Sequence, residues 1–228
     1  MRALRIVSWN IRKAVGLDWR RDPARVLRVL ESMKPDIILL QEADKRLAPR
    51  PPALPLAMVE QAGWTALDAD PDTPSIGHHG NAVLFRNAFA IHDFKAIDLP
   101  GLEPRGAVLA RFSGQGFAFC VGAAHFGLRR KDRILQMKHL LEEAERFGCP
   151  AVVGGDFNEW RARGRLLPDT SNWSEVAPGP SFHASSPRLL LDRFMIEANV
   201  TVLEHGVVTK GAAMKASDHL PIWIDVVF

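Results

Sequence analysis

Residues 151–160, AVVGGDFNEW, constrain the fold of this chain more than any other stretch. Ala151, Val152 and Val153 form a short apolar run of the kind that fills a buried strand, and Gly154 and Gly155 follow it. Glycine permits a sharp turn or a close approach of the backbone to another group. Asp156 and Asn158 then stand two residues apart, and in an extended chain such residues face the same way. A carboxylate and an amide thus project together from the end of a core strand. Taken alone, Asp-x-Asn equally closes a strand through an Asx-type turn. The choice between the two readings depends on how the other strands end.

Residues 3–9 alternate and lean β-branched, which predicts a strand ending at Asn10. A loop carrying Arg12, Lys13 and Trp19 follows. Asp22-Pro23 is a helix start, with an N-cap acid before a first-turn proline. Val26, Leu30 and Met33 continue it at helical spacing until Pro35. DIILLQEAD is a second buried strand, running into Gln41 and Glu42. Strand, helix and strand in that order are the signature of a parallel crossover. Residues 46–56 are proline-rich and read as irregular, 57–62 as a short helix, and 68–80 as a long polar loop. NAVLFR, FAIHDFKAI, GAVLARF and FAFCVGAAHF read as four successive antiparallel strands. The clearest helix spans 130–147, with Ile134, Met137, Leu141 and Ala144 on one face and Gly148 at its end. Residues 161–187 are mixed and loop-rich. LLLDRFMI, VTVLEHGVV and PIWIDVVF are three further strands, with a loop at 209–219 before the last. No linker or composition break interrupts the chain, so a single domain over residues 1–228 is expected. Many strands and few helices predict two packed sheets covered by helices.

With 47% hydrophobic and 24% charged residues, the chain has ample material for a core and lies outside the disordered and fibrous classes. No apolar run approaches membrane-spanning length and no apolar leader opens the sequence, so a cytoplasmic location is expected. The net charge of +3 permits an anionic substrate without demonstrating one. Cys120 and Cys149 sit in apolar, strand-like contexts and read as buried free thiols.

Asn10, Glu42, His125, Asp156 with Asn158, Asp192, and Asp218 with His219 all end apolar strands or open the next one. Each has an ordinary structural explanation: a turn, a cap, a satisfied core histidine. Asp192, after three leucines, requires a partner, because a lone buried carboxylate is costly. Together they suit hydrolysis of a phosphoester assisted by a divalent cation. Oxygen ligands from Asn10, Glu42 and Asp218 match magnesium, with manganese as the alternative. No cysteine–histidine cluster suggests zinc. A cation polarises the phosphoryl oxygen and stabilises the leaving oxyanion. A histidine near neutral pKa acts as base on a water, a carboxylate such as Asp192 fixes its tautomer, and amide and imidazole donors take up the charge that grows on phosphate oxygens.

The set VSWNIR, LLQEAD, GNAVLFR, AAHFGL, GGDFNEW, LLLDRFMI and SDHLPIW resembles the endonuclease/exonuclease/phosphatase superfamily over residues 4–226. The resemblance implies a four-layer α/β/β/α sandwich, two mainly antiparallel sheets face to face with helices outside, and a magnesium-dependent phosphoesterase. It makes Glu42 the principal magnesium ligand, with Asn10 and Asp218 nearby. Asp156 and Asn158 resemble the pair that orients the attacked phosphate and the water. His219 resembles the general base or phosphate-contacting histidine, and Asp192 its partner. His125 resembles the second histidine of the deoxyribonuclease-like branch, Glu103 the acid that pairs with it, and Asn81 a phosphate-contacting asparagine. The chain has no tyrosine, unlike the abasic-site branch, which favours the two-histidine branch. Arg193 stands where the superfamily has an aromatic, either as a substrate contact or facing solvent.

Substrate candidates are DNA or RNA, a phospholipid headgroup or an inositol phosphate; no protein partner is implied. A nuclease needs a basic track, because phosphate contacts dominate nucleic-acid affinity. Arg12, Lys13, Arg20, Arg21, Arg129, Arg130, Lys131 and an arginine cluster at 161–165 are available for it, with Trp19 or Trp160 to stack on bases. A non-catalytic phosphate-binding module is the reading of another class.

Overall fold

Two strand–helix–strand units frame the molecule, each a parallel pair joined by a helical crossover. The computed structural model describes residues 3–44, 51–72, 75–114, 116–161, 166, 167 and 172–228. In the first unit, β1 (Leu4–Asn10) runs parallel to β2 (Ile37–Gln41) through α1 (Pro23–Ser32). The helix starts where the sequence signals it: the Asp22 side chain accepts a hydrogen bond from the Arg25 amide, with Pro23 in the first turn. After β2 come α2 (Leu56–Gln61), β3 (Thr65–Ala66), β4 (Ala82–Phe85), β5 (Ala90–Leu99) and β6 (Arg105–Gly114). The second unit follows: β7 (Phe117–His125) runs parallel to β8 (Ala151–Asp156) through α3 (Arg130–Glu145). The chain closes with β9 (Trp173–Val176), β10 (Asp192–Glu197), β11 (Thr201–Val207), α4 (Ala213–Ala216) and β12 (Ile222–Val227).

One sheet has the order β11-β12-β1-β2-β4-β3 and the other β5-β6-β7-β8-β10-β9. Strand alternation sorts the side chains into three apolar seams. Ile6, Leu39 and Val83 of the first sheet meet Val108, Val121 and Val152 of the second. On the outer face of the first sheet, Val7, Trp9, Ile38 and Leu40 pack with Val26 and Leu30 of α1 and Val59 of α2. On the outer face of the second, Cys120, Val153 and Met195 pack with Met137, Leu140 and Ala144 of α3. The result is a helix–sheet–sheet–helix sandwich. Among the described residues no helix is long and apolar enough to cross a membrane.

The structure differs from the sequence reading at several places. β4 does not pair with β5: it is buried along its whole length and lies antiparallel to β2, with Leu39 opposite Val83. The short connection after it carries the chain into the other sheet, where β5 is a largely exposed edge. In α3, Ile134 is exposed and the buried stripe instead includes Arg133 and Gln136. Most of their polar atoms find partners there: Gln136 accepts from the Gly127 amide and donates to the Pro100 carbonyl, and Arg133 donates to the Leu128 carbonyl and Glu159. Burial of hydrogen-bonded polar groups removes the clean amphipathic pattern. The loop expected at 209–219 contains α4, and β3 and β9 were not legible. Cys120 is buried and Cys149 half-buried, both as free thiols.

Candidate active site

Both parallel pairs end on the same rim. Asn10 stands in register with Gln41, next to Glu42, and His125 stands in register with Asp156. Asp192, the first residue of β10, lies opposite Asp156 on the other side. The glycines before Asp156 permit this convergence: a Cβ on Gly155 would lie 1.9 Å from the Ala124 carbonyl oxygen, and one on Gly154 would lie 2.7 Å from the Phe194 ring. The residue following each terminal turn is left-handed, with φ of 51° at Glu42 and 50° at Asn158. Non-glycine residues pay for that conformation, and it concentrates at sites where side chains are aimed rather than packed.

One carboxylate oxygen is the hub. Asp156 Oδ2 accepts from the Asn10 amide at 3.0 Å, and the Nε2 atoms of His125 and His219 stand 3.4 and 3.6 Å from it. The other oxygen of Asp156 accepts from the Asn158 backbone amide at 3.0 Å, while the Asn158 side chain donates to the Phe126 carbonyl at 2.9 Å. Behind His219, Nδ1 lies 2.8 Å from Asp192 Oδ2, which also accepts from the Ser181 hydroxyl. Asp192 is fully buried, so its charge is felt strongly by the ring. Burial draws the His219 pKa down, but Asp192 and Asp156 together draw it up further, to about 10. Burial raises that of Asp156 to about 6, against the opposing pull of His219. Asp156, Asp192 and His219 place ligand-type atoms within 4.8 Å of one another.

The expected metal ligands occupy the adjoining corner. The Ser217 hydroxyl donates to the Asn10 carbonyl at 2.7 Å, which brings Asp218 beside the end of β1. The Lys13 backbone amide donates to the Glu42 carbonyl at 3.0 Å. Two cations of the chain neutralise the two acids: Lys13 Nζ pairs with Glu42, and Arg12 Nε stands 3.6 Å from Asp218. Asn10 Oδ1 accepts from the Arg12 amide. Two carboxylates and an amide oxygen lie on these neighbouring segments, each beside a cation or amide of the chain, and oxygen donors are the type a hard divalent cation takes.

The remaining sequence candidates fall in different places. Glu103 accepts from the Leu128 amide and from Arg105, beneath the loop that follows His125. Asn81 is fully buried and donates its amide hydrogens to the Gly106 and His78 carbonyls, while its Oδ1 has no hydrogen-bond partner among the described residues. Arg193 is not brought to the rim. It is 2% exposed, pairs with Glu175, and donates to the Leu190, Glu159 and Arg161 carbonyls. Being one residue past Asp192 on a strand, it points to the opposite face. Arg193→Ala is therefore expected to destabilise the fold by about 3 kcal/mol, because it leaves a half-buried acid and three carbonyls without their donor. A urea titration reads that loss, and the remaining folded enzyme should keep its KM. Of the basic track, 162–165 lies outside the described residues.

Four residues that position the site were not singled out from the sequence. Ser181 holds Asp192; Ser217 links Asn10 to the His219 amide; the Trp9 indole donates to the His219 carbonyl at 2.8 Å; and the Phe182 ring lies 4.8 Å from the His219 ring. Trp9 and Ser217 belong to the quoted VSWNIR and SDHLPIW segments, but nothing in a linear pattern shows that their polar atoms point at each other's strands.

A face-to-face sandwich with carboxylates, imidazoles and amides gathered at one rim defines the class. The sequence profile of the Endonuclease/Exonuclease/phosphatase family matches residues 7–219, and the chain belongs to that family. Membership supports hydrolysis of phosphate esters, the chemistry in the family's name. A relative in Escherichia coli (strain K12), the uncharacterized protein YbhP, is 29% identical over 161 residues; the match takes in 66% of this chain and 63% of YbhP, so the chain spans under two thirds of that relative's length. Among solved structures, the mannosyl-6-phosphatase Bt3783 of Bacteroides thetaiotaomicron VPI-5482 superposes with a TM-score of 0.78 at 19% identity, covering 99% of this chain and 100% of that one. The D. rerio TDP2 complexed with a single-strand DNA product superposes with a TM-score of 0.74 at 17% identity, covering 99% of each chain. At those identities the likeness speaks for the fold.

Proposed function

We propose that residues 1–228 act as one catalytic domain that hydrolyses phosphodiester or phosphomonoester bonds with a divalent cation, magnesium in first place and manganese as the alternative. The observation that carries this reading is the convergence of Asn10, His125 and His219 on Asp156, with Asp192 fixed behind His219. Glu42, Asn10 and Asp218 would hold the cation, which when bound supplies Lewis-acid polarisation of the phosphoryl group. Asp192 holds the His219 ring by Nδ1, so that Nε2 faces the reacting phosphorus. The Asp156–His219 pair takes the proton of the attacking water; as coupled groups they titrate together rather than singly. Asn158 orients that water from the same turn as Asp156. His125 donates to a non-bridging oxygen from the end of β7, and Glu103 steadies the loop that follows it by accepting from the Leu128 amide. Transition-state charge would meet donors already held in place by Asp192, Phe126 and Asn10.

Two fold neighbours carry names of different substrates, a mannose phosphate and a single-stranded DNA product, so the fold does not choose between small esters and nucleic acid. A specific observation favours keeping nucleic acid as a second reading. The Trp19 ring is 78% exposed and stacked with Arg12, which contacts Asp218; Trp160, beside the Asp156 turn, is also exposed. Aromatic platforms next to a cationic rim are how single strands are held. The test is hydrolysis of p-nitrophenyl phosphate, its bis ester, plasmid, single-stranded DNA and RNA, with magnesium and with EDTA. Turnover of at least one ester that EDTA abolishes is expected. If a nucleic acid is the substrate, added salt should depress its cleavage steeply and leave the small ester nearly unchanged. Phosphate binding without turnover of any ester would move the chain to the non-catalytic reading.

A further inference from the structure

The turn that leads into β4 folds two adjacent histidines onto a single carboxylate. His78 and Asn81 exchange backbone hydrogen bonds of 2.8 and 2.9 Å, and the two residues between them, His79 and Gly80, have φ of 49° and 81°. Both central residues being left-handed defines the tight hairpin turn of type I′. The two imidazoles stand edge to face, 4.6 Å between centroids. Nε2 of His78 lies 2.9 Å, and Nε2 of His79 3.0 Å, from the same oxygen, Asp98 Oδ1, near the end of β5. Gly106 of β6 makes the room, because a Cβ there would lie 2.8 Å from the His78 ring and 2.9 Å from that of His79. The histidine side chains are 13% and 11% exposed, whereas that of Asp98 is 82% exposed. On the far side of His78, Nδ1 faces the Asp70 carboxylate at 3.8 Å.

We propose that His78, His79 and Asp98 form a binding site for a zinc-class divalent cation, distinct from the magnesium-type corner at Glu42. The donors are two imidazole nitrogens and one carboxylate oxygen, the chemistry of zinc rather than of magnesium. All three ligand atoms lie within 4.8 Å of one another. Donors about 2.0–2.1 Å from a tetrahedral ion stand roughly 3.4 Å apart, so the two nitrogen–oxygen gaps of 2.9 and 3.0 Å would open by a few tenths of an ångström to take the ion. The exposed side of Asp98 leaves the fourth position to water. Behind the non-ligating nitrogen of His78, the Asp70 carboxylate stands at 3.8 Å, beyond hydrogen-bond distance, and adds negative charge on the side away from the ion. From the sequence no zinc site was expected, because Asp98 is distant along the chain and joins the histidines only when β5 packs alongside the turn.

The ion would tie together two parts that belong to different sheets. The turn feeds β4 of the first sheet and carries Asn81; Asp98 belongs to β5 of the second. Gly80, in that turn, lies close enough to Glu42 that a Cβ would be 3.5 Å from its Cα. The site thus braces the loop next to the catalytic rim.

The test is metal uptake by the full chain after EDTA treatment and dialysis, in excess magnesium to fill the oxygen site, with cobalt(II) and zinc as probes. Cobalt is expected to develop visible absorption bands of a four-coordinate nitrogen–oxygen site, with one equivalent bound, and zinc to bleach them. Zinc should also raise the melting temperature of the wild type, as any ligand of the native state does. Asp98→Asn, a substitution at an exposed position whose folding is checked by circular dichroism, should lose the bands and the thermal shift; His79→Gln should behave alike. If wild type and Asp98→Asn take up cobalt equally, or neither takes it up, the three residues are a hydrogen-bonded clasp and the proposal fails. The readouts need no turnover, so they stand whether or not the catalytic reading holds.

Discussion

Asp192→Asn is expected to lower kcat by about 10²–10⁴-fold, the range that a positioned acid–base group contributes. The substitution nearly preserves shape: the asparagine oxygen can take the place of Oδ2 between Ser181 and His219, while its amide occupies the position of Oδ1, which has no hydrogen-bond partner among the described residues. What disappears is the buried charge. Burial alone draws the His219 pKa down, and Asp192 is foremost among the groups that hold it up, so in the variant it must fall from about 10. A group whose folded pKa lies above its unfolded value of about 6.5 stabilises the fold fully below that value, and the contribution fades as pH rises through the folded pKa. Metal-free wild type in EDTA should therefore lose stability as pH is raised from about 6.5 towards about 10, and in Asp192→Asn the loss should be complete at lower pH. Nitrogen-15 spectra of His219 report the pKa directly, and kcat against pH reports its consequence. A variant with wild-type kcat and an unmoved His219 resonance would show that Asp192 merely fills space.

How much of this was legible before folding depends on whether a residue's partner lies in the same run of sequence. Asp22-Pro23 names its own helix start, and the apolar strands that end in Asn10, Glu42, His125 and Asp156 announce themselves by their last residue. Those four lie at the ends of two strand–helix–strand units, a local pattern, and the units superimpose their polar ends because parallel strands begin at the same edge. The Ser181 contact with Asp192, the Trp9 contact with His219 and the Asp98 contact with two histidines are long-range, and no spacing encodes them. Arg193 was ambiguous for a related reason. A strand shows which residues share a face, and Arg193 lies on the face opposite Asp192, but the acid that receives it, Glu175, sits in a strand too short to read. β4 misled because a short connection between two strands ordinarily makes a hairpin, whereas here a strand buried on both faces lies inside the other sheet, between β2 and β3.

Glu42→Gln is expected to reduce magnesium-dependent turnover by about 10³-fold or more, since loss of a metal's polarising contribution removes several kcal/mol of transition-state stabilisation and each tenfold is about 1.4 kcal/mol. The change removes a ligand charge at almost constant volume, and the left-handed backbone that aims the side chain is unaffected. It also leaves the Lys13 ammonium, now without that carboxylate, in the corner where a cation must enter. Two effects then add: a weaker ligand and a repelling neighbour. The magnesium dependence of the residual rate should shift to much higher concentration, and manganese binding followed by paramagnetic resonance should weaken in parallel, while the melting temperature stays near that of the wild type because Glu42 is only partly buried. Wild-type rates at saturating magnesium would remove Glu42 from the metal shell and leave the corner formed with Asn10 and Asp218 as an ion-paired structural feature.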